Sequence, residues 1–298
     1  MMARALFAAM ACLLATPAAA ADPVEIPAFM RIPRPTPDLE IRYGAAPAQA
    51  IDVFRPPGRG PFPVAILIHG GCWSATTDGR AQLRHLGADL ARRGIAVWSI
   101  GYRRANEPGG GYPGTFLDVA AAIDRLPAEA GRFDLDLSRT VVVGHSAGGH
   151  LALWAAARRG LPRESPLYAP EAFLPGQVIS LAGIPDLKSF GRYVPMHCGP
   201  GIYESLAPLE KLAEVSPAAL PAPAARVVLV SGIVDRLVPP FVAHEYARAR
   251  RDQPGLPIRV VDLPDAGHFD LVTATTPAWS RIRGLIVDAL SRKTAARR

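Results

Sequence analysis

The sequence predicts an α/β fold in which helices cover both faces of a mostly parallel sheet, and three observations lead to that prediction. Short strand-like apolar runs alternate with longer amphipathic stretches along the 298 residues, as in successive β-α-β units. The middle runs, such as PVAILIHG and TVVVGHS, are continuously apolar, which is typical of strands buried on both faces. With 49% apolar and 20% charged residues, the chain can bury a large core and is not a disordered polypeptide.

Eight strands and five helices follow from these patterns in chain order. Strands are expected where short runs rich in β-branched or aromatic residues end at turn-forming residues, in LEIRYG, AIDVFRP, PVAILIHG, IAVWSIGY, TVVVGHS, QVISLAG, RVVLVSGIVD and IRVVDLP. Helices are expected where apolar residues recur at a helical period, at about 79–93, 115–126, 146–159, 240–252 and 278–292. Asp78 is the expected N-cap of the first helix.

The stretch from Asp186 to Pro217 follows neither period. It holds several glycines and prolines, which interrupt both helices and strands. We therefore expect a small loop-rich insertion at this point and not a second domain.

The first 21 residues have the pattern of a secretory signal peptide. Arg4 precedes an apolar run of 11 residues at positions 5–15, and small residues follow it, as in signal peptides. Cleavage is expected near Ala20 or Ala21. The run is too short to cross a bilayer as a helix, so we expect no membrane insertion after cleavage and a periplasmic or secreted protein.

Four parts are expected along the chain. The signal peptide covers residues 1–21, and residues 22–38 form an extended leader because five prolines there fix φ and remove N–H donors. The main domain spans 39–291, and a basic tail covers 292–298. The formal net charge of +7 falls to +2 for residues 22–291, because five basic residues lie at the chain ends. No motif for nucleic-acid binding is present in the sequence, so no such partner is expected.

A glycine-rich motif joins the fifth predicted strand to a predicted helix. Gly144-His145-Ser146-Ala147-Gly148 matches G-x-S-x-G, in which a sharp turn exposes a serine hydroxyl at the end of a strand. Such a hydroxyl becomes an effective nucleophile when a base, itself oriented by a carboxylate, lies within hydrogen-bond reach. In this context the chain resembles the α/β-hydrolase superfamily over about residues 50–290. The resemblance implies an α/β-hydrolase fold, with Ser146 as the nucleophile and the insertion lying over the active site.

The resemblance also implies an acid and then a histidine, each after a late strand. Asp235 ends RVVLVSGIVD, in a segment similar to the family's G-x-x-D-x-x-V-P loop, and is the expected acid. His268 follows the last strand and matches the family's G-H-x pattern, so it is the expected base. Asp265 and Asp270 flank this histidine too closely to orient it, and we expect them to be solvated or capping carboxylates.

The other histidines are assigned different places. No pair has a metal-ligand spacing such as H-E-x-x-H, so neither a metal nor another cofactor is expected. His145, beside the nucleophile, is an expected residue of the substrate pocket. We expect His150, on the helix after the serine, to pack or to form a hydrogen bond, and His85 and His244 to lie on surface helices. His197 is expected to be a solvated loop residue, with a place in the pocket lining as the alternative.

A second glycine-containing motif follows the third predicted strand. His69-Gly70-Gly71-Cys72-Trp73 resembles the H-G-G-x-W loop of esterases and of hydrolases similar to kynurenine formamidase. Glycine lets main-chain N–H groups turn toward the oxyanion that develops on a substrate carbonyl. The N–H groups of Gly70 or Gly71, with that of Ala147, are the expected oxyanion hole. Trp73 is expected either to wall the substrate pocket or to pack in the core.

Two cysteines, Cys72 and Cys198, remain after removal of the signal peptide, and their spacing matches no C-x-x-C motif. They lie in loops after the third and sixth strands, which would be two strand spacings or about 10 Å apart. A disulfide needs Cα atoms roughly 4.4–6.8 Å apart, so it forms only if both loops lean over Ser146. A disulfide and two buried thiols both remain open, and we favour the thiols.

Within the superfamily, the stretch from Tyr102 to Ala122 is similar to that of small esterases, including feruloyl or acetyl-xylan esterase-like proteins and formamidases. The function implied is that of an exported serine hydrolase that cleaves a carboxylic ester of a small substrate. Arylformamidase activity, which uses the same groups, is the first alternative. A small serine exopeptidase and a non-catalytic binding module with a hydrolase fold are the others.

Overall fold

A computed structural model describes residues 22–253 and 258–292. Within them one eight-stranded sheet forms in the order β1-β2-β4-β3-β5-β6-β7-β8. The pairs β1–β2 and β2–β4 are antiparallel, and the others are parallel. The strands are Leu39–Arg42 (β1), Ala50–Phe54 (β2), Phe62–Ile68 (β3), Ala96–Ile100 (β4), Leu135–His145 (β5), Gln177–Leu181 (β6), Arg226–Gly232 (β7) and Ile258–Leu263 (β8). The predicted fold class is confirmed.

Helices connect and cover these strands. They are Ile26–Met30 (α1), Arg84–Ala91 (α2), Gly114–Asp124 (α3), Leu126–Phe133 (α4), Ala147–Ala157 (α5), Leu187–Phe190 (α6), Val194–Cys198 (α7), Ile202–Leu206 (α8), Leu212–Val215 (α9), Phe241–Ala249 (α10) and Pro277–Leu290 (α11). Single 3₁₀ turns lie at Gly79–Leu83, Arg158–Gly160, Gly191–Tyr193, Leu209–Lys211, Pro217–Ala219 and Asp270–Val272. None of the helices in the described residues is long and apolar enough to cross a membrane.

The central strands place the ends of β3, β5 and β6 side by side. In the parallel register Ile68 of β3 pairs with Gly144 of β5, which in turn pairs with Ser180 of β6. These strands are buried on both faces, because helices cover both sides and apolar side chains gain from leaving water. The loops that follow β3 and β6 therefore flank the turn that follows β5.

Two local predictions about helices need correction. The helix predicted at 115–126 ends at Asp124, and a separate helix, α4, begins with Pro127 in its first turn, where proline's missing N–H costs nothing. Asp78 makes no side-chain capping bond. Its carboxylate instead lies 4.0 Å from Arg34 Nε, and the chain enters α2 through a 3₁₀ turn.

The insertion between Asp186 and Pro217 is more regular than predicted. It contains the short helices α6 to α9 rather than loops. Asp186 caps α6 by accepting hydrogen bonds from the N–H groups of Lys188 and Ser189, and Gly199 and Gly201 supply the left-handed backbone between α7 and α8. Helices of four or five residues are too short to show a clear period in sequence.

The leader at 22–38 is not simply extended over the surface, as predicted. It contains α1, whose Phe29 is only 2% exposed and stacks on Phe269 with ring centroids 4.9 Å apart. The Val24 N–H donates to Asp270 at 3.2 Å. The leader is thus part of the core beside the last strand. The predicted signal peptide at 1–21, and the basic tail beyond residue 292, lie outside the described residues.

The burial of Phe29 predicts that the leader stabilises the domain. Phe29→Ala removes a stacked, buried ring and should lower the free energy of unfolding by about 3 kcal/mol, as for other buried aromatic truncations. Urea unfolding monitored by tryptophan fluorescence measures this change, with Ile26→Ala as the control because Ile26 is 51% exposed. Equal stabilities for the two variants would contradict the packing of the leader.

Candidate active site

Ser146 occupies the turn between β5 and α5. Its φ of 54° and ψ of −119° place it outside the backbone conformations that L residues usually adopt. The turn is tight, because a Cβ on Gly144 would lie 2.0 Å from the Gly148 carbonyl oxygen and one on Gly148 would lie 2.1 Å from that of Ile68. Both motif positions therefore need glycine, and Ser146 is left at the wall of a cavity.

Asp235 and His268 form a buried pair beside this cavity. The carboxylate of Asp235 is wholly buried and accepts at Oδ1 from the N–H groups of Leu237 at 2.8 Å and Val238 at 2.9 Å. Its Oδ2 lies 2.7 Å from His268 Nδ1. Because a carboxylate only accepts, Nδ1 carries the proton of the neutral ring and Nε2 keeps its lone pair. His268 borders the same cavity as Ser146, as a base for a serine nucleophile must.

His145, the last residue of β5, contacts His268. The ring centroids are 4.5 Å apart, and His145 Nε2 lies 3.1 Å from the His268 carbonyl oxygen, to which it must donate. Burial, aided by the neighbouring His268, lowers the pKa of His145 well below its usual value of 6.5. The neutral ring thus borders the cavity, as the sequence predicted, and also holds the backbone of the predicted base.

The loop after β3 has an unusual backbone next to Ser146. Three successive residues are left-handed: Gly71 with φ 97°, Cys72 with φ 58° and Trp73 with φ 48°. The loop packs against the serine turn, because a Cβ on Gly70 would come within 3.1 Å of the Ser146 Cβ. The strained backbone therefore includes Gly71, one of the predicted oxyanion donors, and directly follows Gly70, the other one in this loop.

The backbone N–H groups of this region can receive an anion. Within the described part of the chain, those of Gly70, Gly71 and Ala147 donate to no protein acceptor. Ala147 is the first residue of α5, where N–H groups lack helical partners and carry partial positive charge. Gly71 and Ala147 border the cavity, whereas Gly70 is packed against His145 and Ser146.

The cavity over Ser146 has a volume of about 330 Å³ and is mainly apolar. No aspartate or glutamate of the described residues borders it, and Trp73, which is wholly buried, forms part of its wall. Side chains from the insertion line it, as expected from the predicted place of the insertion, and side chains from α1 line it as well, which the sequence did not predict. The lining includes Ile26, Phe29, Met30, Trp73, Ile184, Phe190, Val194, Leu237, Val238 and Phe269, with Thr76, Thr77, Gln82, His145, Ser146, His197 and His268 as its polar members.

Cys72 and Cys198 are joined by a disulfide, with Cα atoms 5.2 Å apart. The favoured expectation of two free thiols is therefore wrong. The loop after β3 and helix α7 lean toward each other over the end of β5, which closes the gap of two strand spacings. The bond ties the loop with left-handed backbone to a helix that walls the cavity.

Three other assignments can be compared with the structure. His85 was expected on the surface, but it is buried because Nε2 binds the Val272 carbonyl oxygen at 2.8 Å. His197 borders the cavity instead of only facing solvent. Asp270 is neither solvated nor a helix cap: it is buried and accepts from the Gly267 N–H at 2.8 Å, and the 3₁₀ turn that it begins has no side-chain cap. No group of three His, Cys, Asp or Glu side chains in the described residues is placed to hold a metal ion.

Known proteins share this arrangement of elements. The BD-FAE family model matches residues 51–195. The structure of esterase 2 from Thermogutta terrifontis phosphonylated by cyclosarin superposes with a TM-score of 0.70 at 20% identity, over 88% of this chain and 97% of that one. The chain has an α/β-hydrolase fold. Its α/β-hydrolase fold therefore places Ser146, Asp235 and His268 after strands β5, β7 and β8.

Curated proteins that are similar to this chain include esterases and a formamidase. Esterase LipC of Mycobacterium tuberculosis is 29% identical in an alignment of length 265 that covers 78% of this chain and 60% of LipC. Kynurenine formamidase of Salmo salar is 23% identical in an alignment of length 243 that covers 78% of this chain and 75% of that protein. The chain thus spans about three fifths of the length of LipC.

Removing the disulfide should destabilise the protein. The bond closes a long loop, with a sequence separation of 126, and the Cys72→Ser/Cys198→Ser variant should lose about 2–4 kcal/mol of unfolding free energy. Urea unfolding measures this loss, and reduced wild-type protein should match the variant. Two thiols that react with a thiol reagent in unreduced, denatured protein lacking residues 1–21 would contradict the bond.

Buried neutral histidines should make the fold sensitive to mild acid. Burial lowers the pKa of His69 to about 3 and those of His85 and His150 to about 4. As the pH falls from 6.5 toward 4, the unfolded chain binds protons that the folded chain does not, so the unfolding free energy falls, by on the order of 3 kcal/mol per histidine at pH 4.

This loss can be measured separately from that caused by carboxylates, which protonate mainly below pH 4.5. Urea midpoints at pH 7.0, 6.0 and 5.0 should decline for the wild type. His85→Gln should start lower at pH 7.0 but decline less, because one of the buried imidazoles is gone. Midpoints that stay constant over this range would refute the buried neutral state.

Proposed function

We propose that this α/β-hydrolase is a serine esterase that cleaves a carboxylic ester of a small substrate through an acyl-enzyme. The observation that carries the proposal is the buried Asp235–His268 pair, 2.7 Å apart, which shares a cavity with the strained Ser146. Similarity to LipC and to the Thermogutta terrifontis esterase supports an ester substrate.

The proposed reaction uses each group in turn. The Ser146 Oγ attacks the ester carbonyl while His268 Nε2 takes its proton, and Asp235 stabilises the resulting imidazolium. The N–H groups of Gly71 and Ala147, with Gly70 as a further donor, bind the oxyanion of the tetrahedral intermediate. His268 then protonates the leaving alcohol, and a water activated by the same imidazole releases the acid from Ser146.

The cavity favours an ester over the alternative substrates. N-formylkynurenine and the amino terminus of a peptide both carry an ammonium group, whose desolvation is costly without a buried partner. No carboxylate borders the cavity in the described residues, whereas apolar walls from α1, α6 and α7 suit an uncharged acyl or alkyl group. An arylformamidase or exopeptidase reaction is therefore less well supported, despite the relationship to kynurenine formamidase.

Export is part of the proposal. Arg4 and the apolar run at 5–15 have the pattern of a signal peptide. The Cys72–Cys198 disulfide supports this placement, since such bonds persist in oxidising compartments and are rare in reducing ones. The site of action would then be the periplasm or the exterior of the cell.

A substrate panel tests the function. Purified protein should hydrolyse short-chain p-nitrophenyl esters with a burst of p-nitrophenol equal to the enzyme concentration, because acylation releases p-nitrophenol and the slower attack of water on the acyl-enzyme limits turnover. Ser146→Ala should lower kcat by at least about 10⁴-fold, as loss of a triad nucleophile does. N-formylkynurenine should be a poorer substrate than the esters.

The outcomes separate the candidate functions. Ester hydrolysis that survives in Ser146→Ala would refute the mechanism. A higher kcat/KM for N-formylkynurenine than for every ester would replace the esterase with a formamidase. A folded wild-type protein inert toward every substrate of the panel would favour a binding module.

A further inference from the structure

Trp73 and His150 form a buried hydrogen bond that the proposed reaction does not use. The indole Nε1 of Trp73 lies 3.2 Å from His150 Nδ1, and His150 Nε2 lies 2.8 Å from the carbonyl oxygen of Val215. An indole only donates and a carbonyl only accepts, so Nδ1 must accept and Nε2 must carry the proton. The ring is therefore held in one neutral tautomer, and it is fully buried.

The Trp73–His150 hydrogen bond anchors the loop after β3, whose backbone conformation is unfavourable. Trp73 is the last of three successive residues with left-handed backbone, a conformation that costs energy for any residue with a Cβ. The same run begins at Gly71, one of the predicted oxyanion donors. A loop of this kind relaxes toward ordinary φ values unless side chains outside it fix its position.

His150 is well placed to fix the loop relative to Ser146. Both residues belong to one rigid unit, since the His150 N–H donates to the Ser146 carbonyl oxygen at 3.1 Å in the first turn of α5. The ring of His150 is also enclosed by Trp73 and Phe116, with centroids 5.4 Å and 5.9 Å away. The first turn of α5 thus links the nucleophile Ser146 to the loop after β3, through His150 and Trp73.

We propose that His150 is a positioning residue for the oxyanion hole: by accepting the Trp73 indole hydrogen bond, it holds the N–H of Gly71 in line with that of Ala147. The proposal rests on the esterase function. The sequence predicted packing or hydrogen bonding for His150, and the proposal adds a role in positioning the loop after β3. If His150 only filled space, the activity would not depend on the hydrogen bond that its Nδ1 accepts.

Two substitutions distinguish the two nitrogens. The amide oxygen of Asn can lie near the position of Nδ1 and accept from Trp73, whereas the amide of Gln reaches toward the position of Nε2 and Val215. His150→Asn should keep kcat within about 5-fold of wild type, and His150→Gln should lower it by about 10- to 100-fold, a range typical for a misaligned donor. KM should change little in either variant.

Three measurements separate positioning from a loss of folded enzyme. The p-nitrophenol burst counts active sites, so that kcat is expressed per acylating serine. Inhibition by a trifluoromethyl ketone, which forms an oxyanion on Ser146, should weaken in parallel with kcat. In a Trp73→Phe background, where the indole donor is absent, His150→Gln should cost less than about 3-fold, since the effects of coupled residues do not add.

The exposed histidine His244, paired with Asp262 at 2.8 Å, provides the matched control. His244→Asn and His244→Gln should match wild type in kcat and in ketone inhibition. Equal kcat values for His150→Asn and His150→Gln, a defect confined to KM or to the burst amplitude, or additive effects with Trp73→Phe would each overturn the proposal. An inactive wild type, or an active Ser146→Ala, would instead refute the esterase function on which it rests.

Discussion

The left-handed turn at Ser146 is the constraint on which the site depends. A serine with φ 54° is stable there only because α5 leaves β5 at once and presses its first turn against the end of β3, which leaves no room for a Cβ at Gly144 or Gly148. Ala147, whose N–H has no protein acceptor in the described residues, then borders the same cavity as the serine. Since β3 and β6 flank β5, the loops after these two strands become the walls of the site.

The positions of Ser146, Asp235 and His268 could be predicted because each lies in a motif that resembles the α/β-hydrolase superfamily and follows a strand of a mostly parallel sheet. The carboxyl ends of parallel strands meet at one edge, so a residue's order in sequence also locates it in space. Asp235 lies three residues after β7, and the predicted partner His268 lies 2.7 Å from it. Continuous apolar runs predicted the strands themselves, because a strand that is buried on both faces has apolar residues at successive positions and does not alternate between apolar and polar residues.

The parts that the sequence did not predict depend on contacts between distant segments. Phe29 is buried only because Phe269 lies beneath it, and five prolines in the leader suggest an extended chain. The helices of the insertion are too short to show a period. Cys198 is close to Cys72 because α7 lies over the end of β5. His85 has polar neighbours on its own helix, yet it is buried, because its Nε2 forms a hydrogen bond with the carbonyl oxygen of the distant residue Val272.

The insertion acts on the site through the loop after β3 as well as through the cavity wall. Two successive residues of that loop connect it to the insertion. Cys72 forms the disulfide with Cys198 of α7. Trp73 donates a hydrogen bond to His150 of α5, which in turn donates to the carbonyl of Val215 in α9. Trp154, one turn further along α5, binds the neighbouring carbonyl of Glu214. The otherwise unpaired carbonyls at the end of α9 are thus satisfied by α5. If Gly71 and Ala147 supply the oxyanion donors as proposed, the insertion is part of the frame that orients them, and a change in its packing should then alter the reaction even where no substrate touches it.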